Sequence, residues 1–183
     1  MRKRTLMVLV SAAFLLLATN LASAQPQGFY SGTIWGGKAL RVGLYEVQTV
    51  GSSLYIKVWP IRGWEMVDVH IAIVTDPNDF PLNNGGNPKL NEFPWRASMA
   101  PTTVPYDITI PFSSIAPGLT TGDTVYIMIH TAMVLRDGAG YVIQDETGFG
   151  GPCGTSWEPG YAFPFGFYQL AAARWAWYFA FIL

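Results

Sequence analysis

The chain predicts an all-β protein, an antiparallel β-sandwich of about eight or nine strands with long ordered loops. Three observations carry this. Apolar residues recur at every second position in one short segment after another. Glycine and proline, 19 and 13 residues respectively, punctuate those segments. After residue 24, no long stretch repeats its apolar residues at helical spacing.

The N-terminus reads as a secretory signal peptide, residues 1–24. Arg2, Lys3 and Arg4 form a basic start, Leu6 to Ala18 an apolar run, and Ala22-Ser23-Ala24 a small-x-small cleavage site. The run is shorter than the roughly 20 residues that cross a bilayer, so no membrane span is expected after cleavage. The expected location is secreted, extracellular or at the cell surface. Residues 25–183 leave 159 of the 183, enough for one β-sandwich domain with its own core. Removing the leader leaves 8 of the 11 Lys+Arg against 12 Asp+Glu. That balance excludes a nucleic-acid footprint. Cys153 is the only cysteine and sits in Gly150-Gly151-Pro152-Cys153-Gly154, so no internal disulfide forms and only pairing between chains remains open.

Gly28 to Trp35 and Ala39 to Val47 alternate around Gly36-Gly37, a hairpin signal. Leu54, Ile56 and Val58 share one face of the next strand, opposite Tyr55, Lys57 and Trp59, and Pro60 ends it. Glu65 to Val74 places Val67, Val69, Ile71 and Ile73 on one face, with Asp68, His70, Ala72 and Val74 on the other. A long excursion to Arg96 follows, stiffened by proline, glycine and asparagine and ending on apolar Phe93, Pro94 and Trp95. Val104 to Ile110 is a further strand, and Phe112 to Leu119 a loop with one helical turn. Thr124 to Leu135 is apolar on both faces, which places it centrally. Tyr141 to Gln144 is short. Asp145 to Ala173, rich in glycine and aromatics, reads as irregular, with a helical turn at Gln169 to Ala173. Arg174 to Ile182 closes the chain as a strand with Trp175, Trp177, Phe179 and Phe181 on one face.

Several of these pieces together resemble a known family. They are Gly63-Trp64, Val69-His70-Ile71-Ala72-Ile73-Val74, Gly86-Asn87-Pro88-Lys89 with Phe93-Pro94, Val125 to Val134, Asp145-Glu146-Thr147-Gly148-Phe149, and Arg174 to Phe179. In that order they are similar to an uncharacterised secreted β-sandwich domain of bacterial surface and extracellular proteins. Its elements read GW…HLYVGT, GNP…FPY, VYIAAHAVV, ETAW and NWATYF. Gly148-Phe149 stands where the pattern has Ala-Trp. The resemblance implies an extracellular all-β domain and no established activity.

Three groups of residues are site candidates. His70 and His130, the two histidines, both fall mid-strand and opposite the cleaner apolar stripe. With Glu146, or with Asp145 or Asp68 in its place, they form either a structural polar cluster or a zinc or non-haem iron set. Asp76, Asn78 and Asp79 offer oxygen ligands of the calcium type, or simply turn the chain; the EF-hand pattern is absent. Trp59, Trp95 and Trp157, flanked by proline or loop, are the candidates for stacking on sugars, against a core role. No G-x-S-x-G elbow or Ser–His–Asp order occurs, and Glu146 and Glu158 lie too close together to face one another across a cleft. An outer-membrane barrel ending in aromatic alternation is disfavoured, because the alternate positions lack charge.

The resulting expectation is a secreted protein without catalysis, acting as an extracellular surface, matrix or adhesive module. It needs no cofactor, calcium aside. Its partner would be an extracellular glycan or protein, or another copy through sheet edges. The alternative is a carbohydrate-binding module with a calcium site.

Overall fold

Inward-facing side chains from Ile34 near one end to Phe181 near the other meet in one core, because a single antiparallel sheet curls back on itself. The computed structural model describes residues 28–37, 40–151, 167–169 and 176–183. The ten strands among them are β1 (Phe29–Gly36), β2 (Leu40–Val50), β3 (Ser53–Pro60), β4 (Trp64–Val74), β5 (Trp95–Thr102), β6 (Tyr106–Pro111), β7 (Thr124–Arg136), β8 (Val142–Gly151), β9 (Phe167–Gln169) and β10 (Trp177–Ile182). One helical turn, α1 (Phe112–Ile115), follows β6. No helix among the described residues is long and apolar enough to cross a membrane.

The strand order is β5-β4-β7-β8-β1-β2-β3-β6. Its two end strands, β5 and β6, are consecutive in the chain. The link from Thr102 to Tyr106 can reach at most about 14 Å, so the ends of the path return to one another and the sheet curls. β7 is central, as its two apolar faces require. β4 pairs along most of one edge. The other edge is shared: β10 takes Thr124 to Ile127 and β8 takes His130 to Arg136.

Inside, Leu54, Ile56 and Val58 of β3 face Val69, Ile71 and Ile73 of β4 and Val125, Ile127 and Ile129 of β7, all within one buried cluster. Tyr45 is fully buried there and donates its hydroxyl to the Gly151 carbonyl at 3.1 Å.

The all-β antiparallel class is as the sequence predicts, with five local differences. In β4 the inward row is Trp64 and Met66, then Val69, Ile71 and Ile73. A bulge between Met66 and Asp68 switches the phase and turns Val67 away. The excursion, expected to run to Arg96, ends earlier, and Trp95–Thr102 form β5. Residues 145–151, expected to be irregular, continue β8. Their glycines are what close packing demands. A Cβ at Gly148 would lie 2.7 Å from Ile34 Cγ2, and one at Gly151 would lie 2.8 Å from Trp35 Cδ1. Gln169, expected in a helical turn, ends β9. In β10, Phe179 and Phe181 face the core, whereas Trp177 joins a second apolar cluster on the outer side. The expected leader, Cys153, Trp157 and Trp175 lie outside the described residues.

Candidate functional site

On the outer surface of the curled sheet, β4 and β7 bring the two histidines together. His70 stands directly opposite His130. The register extends this pair into a row across six strands: Arg41, Trp35, Phe149, His130, His70 and Arg96. Directly opposite residues of an antiparallel pair project from the same face, so the row is one line of side chains capped by arginine at each end.

The histidine Nδ1 atoms are 3.4 Å apart. The His130 ring meets Phe149 edge to face with centroids 4.8 Å apart, and His70 meets Phe93 similarly at 6.4 Å. The Asp68 carboxylate lies 3.7 Å from His70 Nε2, and Ser98 Oγ donates to its other oxygen at 3.0 Å. That carboxylate favours the His70 tautomer protonated at Nε2. His70 Nδ1 is then an acceptor, and His130 Nδ1–H donates to it. The remaining nitrogen, His130 Nε2, is buried with no hydrogen-bond partner among the described residues.

Burial decides the charge state. Burial, reinforced by the His70 ring, pushes His130 down to about 3. His70 is lowered too, first by burial; Asp68 pulls it up and Arg96 pushes it down. Both rings are therefore neutral at pH 7. With His130 only 2% exposed, no substrate atom reaches the unpartnered nitrogen.

The excursion between β4 and β5 is what closes this half. Asp76 Oδ1 accepts from the Asn78 backbone and side-chain amides at 2.9 and 2.8 Å, starting a 3-10 turn over Pro77–Asp79. Asn83 Oδ1 accepts from the Gly85 and Asn87 backbone amides at 2.9 and 3.0 Å. Arg96 donates to the Asn91 carbonyl. These bonds hold Phe80 and Phe93, both buried, against Ala72 and Met128.

Glu146 is not part of the histidine group. It stands opposite Met133, an inward residue, and so belongs to the other face of the sheet from His130. Its carboxylate accepts from Gln144 and lies beside Gly37. Asp145 is exposed on β8. Asp68 is the carboxylate the histidines meet. No group of three or more His, Cys, Asp or Glu suited to a metal ion occurs among the described residues. Asp76 and Asn78 are engaged with each other, and Asp79 ends the 3-10 turn.

The tryptophan set is also dispersed. Trp95 is half-buried on β5 and packs on the core. Trp59 faces outward from β3, with Lys57 Nζ 5.6 Å from its ring centroid. Residue type alone could not place it. Its surroundings are the outer half of β1, β2, β3 and β6, which no described loop covers. There Glu46, Lys57 and Asp107 stand in one row. Gln48, Tyr55 and Thr109 stand in the next, continued by Phe29 on β1. Every one of these side chains is exposed or half-exposed.

No family model matches this chain, and no curated protein does. Among solved structures, one described as a "putative carbohydrate binding protein" from Bacteroides uniformis is similar at 10% identity and a TM-score of 0.32. The match covers 66% of this chain, which spans about half (53%) of the other. A likeness this slight carries no argument about fold or ligand.

Proposed function

We propose that this chain is an exported, non-catalytic β-domain that attaches to extracellular material through the open half of its outer surface. One observation carries the reading: the two halves of that surface are finished differently. The half with the chemically versatile residues, His70 and His130, is closed by Phe93 and its loop, which leaves His130 neutral and out of reach and His70 largely covered. The other half keeps rings and charges in water on a four-stranded face. The leader-like residues 1–24 support export. The resemblance to secreted bacterial β-sandwich domains agrees with both.

Co-sedimentation with the insoluble surface material of the producing cell tests this. Wild-type protein is expected in the pellet, and Glu46→Arg with Asp107→Arg in the supernatant. Equal sedimentation of both forms, or turnover of that material, contradicts the proposal. A second reading follows from the end strands. β5 and β6 have no ladder to each other among the described residues, and such edges can recruit another copy. Sedimentation velocity separates the two: attachment needs no oligomer, whereas edge pairing gives one that dissociates on dilution.

A further inference from the structure

The open half has a composition that singles out a class of ligand. Tyr55 and Trp59 both point outward from β3, four residues and so roughly 13 Å apart. Between them lies Lys57, with Glu46 directly opposite on β2 and Asp107 directly opposite on β6. None of these three charged side chains forms an ion pair within 4.0 Å among the described residues. Their hydrogen-bonding capacity therefore points to solvent.

We propose that this face binds a neutral, linear oligosaccharide running along β3, its sugar rings on Tyr55 and Trp59 and its hydroxyls on Glu46, Lys57 and Asp107. A pyranose has an apolar C–H face and a rim of hydroxyls. The C–H face suits an aromatic ring. A hydroxyl both donates and accepts, so it satisfies a carboxylate and an ammonium alike. Charge complementarity rejects the other occupants. One lysine between two carboxylates sums to −1, which repels nucleic acid and sulfated or acidic glycans. A protein partner requires an apolar, charge-depleted centre, whereas here the charges hold the centre and the rings the ends. The Lys57 contact with Trp59, at 5.6 Å and exposed, is weak enough for a sugar to displace. This assignment rests on the reading of the open half as the attachment surface.

The test is titration of the exported protein with cellohexaose, chitohexaose, mannohexaose and a heparin hexasaccharide, followed by calorimetry. Saturable binding of at least one neutral hexasaccharide is expected, with none of heparin. Trp59→Ala and Tyr55→Ser should each weaken it about tenfold. Tyr141→Ser, at the exposed tip of the β7–β8 hairpin, should leave it unchanged. Should Trp59→Ala fail to fold, Tyr55→Ser carries the comparison. Failure of every neutral hexasaccharide to bind overturns the assignment. So does binding that survives the folded variants, or binding of heparin alone. Cell-material attachment lost in Tyr55→Ser without any sugar binding leaves the attachment surface standing and removes the sugar. Attachment that survives in Tyr55→Ser and Trp59→Ala removes both.

Discussion

The covered and open halves of the outer surface are built from the same alternating strands, yet they carry opposite chemistry. Around His130 the outward residues are Phe149, Met128 and Ala72, and the loop side chains Phe80 and Phe93 complete a small second core. Around Lys57 the outward residues are Glu46, Gln48, Asp107 and Thr109. Alternation therefore sets which side chains face outward, but a loop decides whether outward means wet. Where the loop lands, polar groups must be neutral or partnered. Where none lands, charge costs little.

The comparison can be broken most forcefully at the cover. Phe93→Ala should cost about 3–5 kcal/mol, because the ring is 2% exposed and meets His70 edge to face; chemical denaturation measures it. A loss below 1 kcal/mol would mean that the half is not closed.

Next comes acid. The His130 imidazole has an unfolded value of 6.5 and a folded one of about 3. The unfolded chain therefore binds the proton more readily, and the stability contributed is full above pH 6.5 and lost as pH falls towards 3. Between pH 7 and 4 the loss should be about 3 kcal/mol. Melting curves of wild type and His130→Phe across that range check it: the variant should lose this dependence.

Asn83→Ala sharpens the account at smaller scale. It hands two exposed backbone amides of the cover from Asn83 to water and should cost about 1 kcal/mol. Least of all, Lys57→Ala on the open half should stay within about 0.5 kcal/mol of wild type, with an unaltered pH profile.

Much of the inner fold could be read from residues. Leu54, Ile56 and Val58, or Ile127 and Ile129, alternate because they line one core. The β4 bulge was hidden because Met66 and Val67 are both apolar, so either phase looks buried. β5 was missed because residues 95–102 form an end strand, largely exposed, with Pro101 near its close. Only the start of β8 reads as a strand, because further on glycines stand where neighbouring rings need room, and a glycine has no side chain to show a period.

The site followed the same pattern. Two mid-strand histidines on apolar strands could be matched, but the choice among Asp68, Asp145 and Glu146 turned on parity within the part of β8 that had not been recognised. Trp59, Trp95 and Trp157 were grouped by residue type. The surface groups Trp59 instead with Lys57 and Tyr55, its neighbours at every second position of β3.

Hydroxyl-radical footprinting of the folded protein measures both halves at once. Tyr55, Trp59 and Phe29 should oxidise readily, while His130, Phe149 and Phe93 should stay protected until the protein unfolds. Oxidation of His130 and Phe149 at the rate of Tyr55 would show that the covered half is open, and the contrast on which this account stands would be gone.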